Sequence, residues 1–205
     1  MIGLIPFLVD DFMARQYGDP VRRETLVSLN MAPDFSFNIA QAYDDELCRR
    51  VITAMALRIG LPFPVLYDRL GEHFLNWILT NLGGMFEDIA ETIGFLCRLP
   101  AIYNSFGGSV VGAGLPGVSE LVTVRRSGQR LRMTYQSQAR FAEFFVSFMK
   151  AVGQHFDQPI SITIVAGDVD APFCIFDVEV TGREQISRQP VASGTPLESA
   201  SAHAG

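Results

Sequence analysis

The chain has 205 residues, 48% of them hydrophobic, so it is long enough for one sizeable core and too short for two full domains. Its 22 acidic and 16 basic residues give a net charge of −6, which excludes the broad basic surface that nucleic-acid binding requires. Cys48, Cys97 and Cys174 lie too far apart for a disulfide framework or a zinc site, so we expect a reducing, cytoplasmic setting.

The apolar N-terminus does not predict a membrane segment. Residues 1–9 lack the basic leader of a signal peptide, and Asp10 and Asp11 interrupt the apolar run too early for a bilayer-spanning helix. We therefore expect a chain that makes no membrane contact.

The first half of the chain carries apolar residues at helical spacing. This spacing predicts helices over residues 4–17, 22–29, 47–59, 62–82 and 86–106. Gly18, Gly60 and Gly83 end three of them, and Asp44 and Asp45 suit the N-cap of the third.

In the second half the apolar period changes from helical to alternating. The pattern predicts strands over 121–126 and 131–135 around a Gly128 turn, a helix over 141–156, and strands over 160–165 and 173–180. The predicted fold class is α+β: a helical N-terminal half packed against a C-terminal antiparallel sheet with a helix, with room for a ligand between the two layers. Beyond Gly182 the composition turns to Ser, Pro, Ala, Gly and charge, which predicts one domain over 1–182 and a disordered tail over 183–205.

Tyr103 is a polar aromatic residue on an otherwise apolar helical stripe. Counting back in steps of three or four gives Pro100, Leu96, Ile93 and Ile89. A buried phenol without a partner costs about 1–3 kcal/mol, so the hydroxyl should meet an acceptor, a ligand or a metal. The alternative is a core or boundary tyrosine that serves packing, and the stripe alone leaves both interpretations open.

The sequence gives no basis for an enzyme. His73, His155 and His203 form no pair at metal-ligand spacing, and no nucleophile elbow or Cys-His arrangement occurs. The glycine-rich stretch 112–117 follows no predicted strand and precedes no lysine, so it predicts a connection rather than a phosphate loop.

Three motifs in register resemble the H-NOX family, the haem nitric oxide/oxygen-binding sensor domains related to the haem domain of soluble guanylate cyclase. The first is Gly3 and Ile5 leading into a helix that ends at Tyr17-Gly18. The second is Gly94-Phe95-Leu96 followed by Tyr103, and the third is Tyr135, Ser137 and Arg140 entering a helix. The resemblance extends over residues 1 to 182.

The resemblance implies haem b between the helical half and the sheet half. Tyr103 occupies the position of the family's proximal histidine, so it becomes a candidate haem iron ligand, and a phenolate favours Fe(III). Tyr135 and Ser137 match two members of the family's propionate clamp, while Ala139 stands where the clamp has its arginine. Arg140, one residue further on, is the candidate substitute.

The resemblance also implies a pocket lining and a ligand. Ile5, Val9, Phe74 and Phe144 stand at positions that line the distal face, and Pro116 matches a proline that presses on the haem. Oxygen-binding members have a tyrosine where this chain has Phe144, so the expected gas is NO or CO rather than O2. The implied role is to regulate a separate signalling enzyme such as a histidine kinase or a diguanylate cyclase.

A second interpretation uses the same fold without haem. The replacements at Tyr103 and Ala139 are compatible with an interaction module that binds another apolar ligand or none. In that case Val9, Phe74, Phe144 and Phe148 simply fill the space between the layers.

Overall fold

The structure, a computed structural model, describes residues 3–111 and 121–181, with the backbone alone over 103–111 and at 121. Its helices are α1 Leu4–Tyr17, α2 Asp19–Ser28, α3 Asp45–Ile59, α4 Phe63–Leu82, α5 Thr92–Val111 and α6 Ala142–His155. Its strands are β1 Leu121–Ser127, β2 Arg130–Gln136, β3 Ile160–Gly167 and β4 Phe173–Val180. The α+β prediction is confirmed.

Local signals explain where α1 and α3 begin. The Oδ1 of Asp44 accepts hydrogen bonds from the backbone N–H groups of Glu46 (2.9 Å) and Leu47 (3.1 Å), which caps α3. Before α1, the N–H of Gly3 donates to the carbonyl of Gln41 at 2.8 Å. A Cβ at Gly3 would lie within 2.0 Å of a neighbouring backbone oxygen, so this approach requires glycine.

The four described strands form one antiparallel sheet in the order β1-β2-β4-β3. Helix α6 packs on this sheet through Phe145, whose ring centroid lies 5.0 Å from Tyr135 and 6.2 Å from Phe176. On its other side α6 packs against α4. A Cβ at Gly71 of α4 would come within 2.8 Å of the backbone nitrogen of Phe148, so the two helices approach closely there.

The prediction that the fifth helix begins near Phe86 is wrong. Residues Gly83–Met85 form a 3-10 turn, and α5 begins only at Thr92. Phe86 is nevertheless buried, because its ring stacks on Phe95 at 4.3 Å from across the break. The apolar spacing therefore continues through a stretch where the helix does not.

Among the described helices, none is both long and apolar enough to cross a bilayer by itself. Helix α3 and the stretch Phe63–Met85 pass the same test of length and composition only as a pair, and a bend of 110° separates them.

Candidate functional site

Four of the residues predicted to line a pocket lie buried in the core, on three different helices. We call this group the distal wall: Ile5 and Val9 on α1, Phe74 on α4, and Phe144 on α6, with exposed fractions of 6%, 2%, 1% and 6%. The rings of Phe74 and Phe144 stack, with centroids 5.8 Å apart and planes at 24°. Helix α1, which carries Ile5 and Val9, packs against α4, which carries Phe74.

Two further aromatic residues extend the distal wall beyond the predicted set. The ring of Phe148 lies 4.7 Å from that of Phe74, and the ring of Tyr67 lies 6.4 Å from that of Phe144. Burial raises the pKa of Tyr67 to about 12, and the nearby carboxylates of Glu143 and Asp170 add to this effect. Tyr67 is therefore a neutral phenol, and its spacing of seven residues before Phe74 places both on one face of α4.

Tyr135 and Ser137 lie at the end of β2, and both are buried. The ring of Tyr135 stacks on Phe145 with planes at 16°. The Ser137 N–H donates to the carbonyl of Pro172 at 2.9 Å, and its Oγ accepts from the N–H of Ala139 at 3.2 Å. The structure thus places both hydroxyl-bearing residues in the interior, at the junction between β2 and α6.

Ala139 and Arg140 differ sharply in exposure at this junction. Ala139 is fully buried, while Arg140 is exposed. The chain turns here because the N–H of Arg140 donates to the carbonyl of Ser137 at 3.2 Å and Arg140 adopts a left-handed backbone with φ of 59°. Both residues line an outer groove of about 420 Å³ together with Arg49 and Tyr67. The candidate clamp arginine is therefore on the outer side of the junction.

Two predicted site residues fall where the side chains are not described. Tyr103 lies in α5, seven residues after the fully buried Leu96 and four after Leu99, so helical spacing puts all three on one face. The position of its phenol lies outside the described part of the chain. Pro116 also lies outside the described residues.

A polar contact between two helices, which we call a polar joint, lies at the edge of the distal wall. The sequence did not predict it. The Nε2 of His73 on α4 lies 3.0 Å from the Oδ2 of Asp11 on α1. Burial lowers the pKa of His73, and Asp11 opposes that effect only in part. The two residues flank the distal wall in sequence, since His73 precedes Phe74 and Asp11 lies two residues after Val9.

A second polar joint fixes α1 to α2. The carboxylate of Asp10 accepts two hydrogen bonds from Arg22, at 2.7 Å and 2.8 Å, and Arg22 also donates to the carbonyl of Phe35. Burial raises the pKa of Asp10, with Arg22 acting in the opposite direction. The joint gives α1 a fixed position relative to the rest of the helical half.

Within the described residues, no group of three or more His, Cys, Asp or Glu side chains could hold a metal ion. The chemistry of the described site is thus that of an apolar wall of rings and aliphatic groups, with two hydroxyl-bearing residues at one edge.

The chain matches the family described as Haem-NO-binding over residues 2–164. A comparison with the curated proteins finds no match.

Solved H-NOX structures share the fold. An oxygen-binding H-NOX domain related to soluble guanylate cyclases, in its oxygen complex, matches with a TM-score of 0.70 at 16% identity, covering 88% of this chain and 95% of that one. An H-NOX protein from S. oneidensis in the Fe(II)NO state matches with a TM-score of 0.70 at 17% identity, covering 88% and 99%. A mutant of the T. tengcongensis H-NOX gives 0.70 at 15% identity, covering 88% and 97%.

Proposed function

The chain belongs to the haem-NO-binding family of sensor domains, and from that premise we propose that it binds haem b and responds to NO or CO rather than to O2. The family match confirms the resemblance that the three sequence motifs carry. The stacked pair of Phe74 and Phe144 is the single observation on which the proposed gas preference rests.

The buried apolar residues of the distal wall support the proposal of haem. A porphyrin is a wide, flat and largely apolar ring, and the distal wall offers it buried aromatic and aliphatic surface from three helices. At the polar edge, the hydroxyls of Tyr135 and Ser137 are of the type that can donate to propionate carboxylates. Arg140 is our candidate for the missing cation, and it would have to act from the outer groove.

The distal wall favours gases that need no hydrogen-bond donor. Donors and polarity in the distal pocket decide whether a haem protein retains O2. Phe144 offers none. Phe74, which stacks on Phe144, and Phe148, which packs against Phe74, add only hydrocarbon. Tyr67 packs behind Phe144 and lines the outer groove. We therefore expect reduced haem in this chain to bind NO and CO and to form no stable oxygen complex.

Tyr103 is the proposed iron ligand, and this assignment adds a redox condition. A phenolate favours Fe(III), whereas gas sensing of the kind proposed uses Fe(II). Gas binding should therefore depend on prior reduction of the iron.

The first experiment tests haem binding and its ligand. The chain is produced with added haemin, and its absorption spectrum is recorded in the ferric and the dithionite-reduced states. We expect a Soret band that Tyr103→Phe removes or shifts and that Tyr17→Phe leaves unchanged, because Tyr17 bonds to Arg69 on the outer side of α4. The absence of a Soret band after reconstitution would rule out haem binding.

A second experiment tests the gas preference at Phe144. Phe144→Tyr places a hydroxyl in the distal wall and should allow an oxygen complex to accumulate in air after reduction. Phe144→Leu, which adds no donor, is the control and should not. An oxygen complex in the unmodified chain would contradict the proposal.

We extend the proposal to the cellular role. The chain would act in the cytoplasm, which suits three cysteines so widely spaced in the sequence, and would regulate a separate histidine kinase or diguanylate cyclase. Its family of sensor domains supports this role.

The buried Ala139 and the outward Arg140 favour a second candidate, a haem-free interaction module. Without a clamp cation in the interior, a propionate gains less from binding. This candidate predicts that haemin leaves the thermal unfolding midpoint unchanged, whereas ligand binding to the folded state would raise it.

A further inference from the structure

The surface between α2 and α3 combines exposed hydrocarbon with positive charge. A groove of about 840 Å³ runs there, which we call the α2–α3 groove. The lining residues that matter here are Leu29, Arg49, Arg50, Ala54, Leu57 and Arg58.

The apolar part of this groove is open to solvent. Leu57 is 78% exposed, and Val27, which precedes the lining residue Ser28, is 54% exposed. Leu57 lies three residues after Ala54 and seven after Arg50, so these side chains follow one exposed face of α3. The opposite face of α3 carries the core residues, and the exposed face is not needed for folding.

The charge of the groove is opposite to that of the chain. Three arginines and one glutamate, Glu46, line it, although the whole chain carries a net charge of −6. Arg49 pairs with Glu46, and Arg58 pairs with Glu24 at 2.9 Å. Arg50 is exposed and has no acidic partner within the described part of the chain. The groove therefore holds a cation that an acidic partner can neutralise.

We propose that the α2–α3 groove docks an acidic amphipathic helix of the regulated signalling enzyme. A partner helix places apolar residues at i, i+3, i+4 and i+7 against Leu57 and Ala54, and its flanking carboxylates pair with Arg50. The proposal rests on the proposed function, because a domain that regulates a separate enzyme must contact it. A membrane surface fits less well, since the hydrocarbon lines a groove between two helices rather than a protruding face.

The test uses two defined synthetic helices of about 18 residues, or five turns. Both carry leucines at the four positions above; one has glutamates beside the apolar stripe and the other has lysines. Binding to the full chain is measured by fluorescence anisotropy, with and without haem. The glutamate helix should bind, and the lysine helix should not.

Reciprocal charge substitution gives the sharpest comparison. Arg50→Glu should weaken binding of the glutamate helix at least about tenfold and should allow the lysine helix to bind. Leu57→Asp should abolish binding of the glutamate helix. Arg125→Glu makes the same charge change on strand β1, at an arginine with no acidic partner among the described residues, and should leave the glutamate helix bound. All three positions are exposed or on a strand edge, and circular dichroism checks that each variant folds.

Four outcomes would overturn the proposal. The glutamate helix fails to bind, or it loses binding equally in the Arg50→Glu and Arg125→Glu variants. The lysine helix fails to bind the Arg50→Glu variant. The chain binds phosphatidylserine vesicles and binds neither peptide. The absorption spectrum of the same samples separates the two levels of inference. A Soret band without peptide binding removes only the docking surface, and peptide binding without a Soret band removes only the haem.

Discussion

The distal wall and the junction between β2 and α6 lie on two edges of the same interior, and they respond differently to small changes of sequence. In the distal wall, Phe74 and Phe144 make contacts over whole rings, so their neighbours can shift slightly without losing the contact. At the junction, Ala139 is fully buried, and the next residue, Arg140, is exposed and has a left-handed backbone. Many residues together supply the apolar surface, whereas the position of the single cation depends on the conformation of one residue.

This difference sets what each region contributes to a ligand. The distal wall supplies non-directional burial, whose free energy scales with area. The junction supplies direction and specificity, because hydrogen bonds and ion pairs weaken steeply with poor geometry. A porphyrin would therefore gain most of its affinity from the wall and its orientation from the junction.

The largest expected effect comes from opening the wall. Phe148 is fully buried and packs against Phe74, so Phe148→Ala should lower the free energy of unfolding by about 3–5 kcal/mol. Urea denaturation followed by circular dichroism measures this loss. Phe63→Ala, at a phenylalanine that is 41% exposed, is the control and should cost far less. Equal losses in the two variants would mean that the wall is not a packed unit.

The next effect tests how closely the wall helices approach. A Cβ at Gly71 would meet the backbone of Ser147 and Phe148 at 2.8–3.0 Å, so Gly71→Ala should destabilise the chain by about 1–3 kcal/mol despite alanine's better helix propensity. Gly83→Ala, where a Cβ meets nothing within 4 Å, should be neutral or slightly stabilising. The unfolding midpoints of the two variants in urea measure this difference in stability. A stable Gly71→Ala variant would show that α4 and α6 lie further apart than described.

The wall could be predicted from the sequence because helical spacing fixes which residues share a face. Ile5 and Val9 are one turn apart, and the family register then pairs their helix with Phe74 and Phe144. The aspartates beside them were not predictable. Asp10 follows Val9 directly and is only 6% exposed, because Arg22 from α2 reaches it. Such a contact depends on the packing of two helices rather than on either sequence.

The junction could be predicted only in part. The alternation of β2 predicts that Tyr135 lies on the buried face, and Ser137, just past the end of the strand, is buried as well. The exposed position of Arg140 depends on a positive φ at that residue. The sequence does not indicate this φ, because it is typical of glycine and asparagine rather than of arginine. The start of α5 was also predicted wrongly, because the stack of Phe86 on Phe95 preserves the apolar spacing across a break in the helix.

A smaller effect is expected from the backbone strain at Arg140. A non-glycine residue in the left-handed region costs about 1–2 kcal/mol, and glycine in the unfolded chain costs about 0.5–1 kcal/mol. Arg140→Gly should therefore be about 0.5–1 kcal/mol more stable than Arg140→Ala, since both lose the guanidinium and only one keeps the strain. Paired urea titrations of these two variants measure the difference. If Arg140→Ala is the more stable variant, residue 140 does not adopt the left-handed conformation.

The smallest expected effect is a pH dependence at the edge of the wall, where His73 meets Asp11. Burial holds the pKa of His73 below its ordinary value, so the unfolded chain binds a proton more readily than the folded chain does. The contribution of His73 to stability is then fully present above its unfolded pKa of about 6.5 and is lost as the pH falls through its folded pKa.

His73→Gln isolates this contribution. Glutamine keeps a hydrogen-bond donor for Asp11 and cannot titrate, so the variant should lose less stability than the unmodified chain between pH 7.5 and about pH 5. Asp10, whose raised pKa acts in the opposite direction, is present in both proteins and cancels in the difference. The free energy of unfolding is measured for both at half-unit steps of pH. A flat difference would contradict the lowered pKa of His73. A difference that grows in favour of the unmodified chain on acidification would show that the contact with Asp11 outweighs burial.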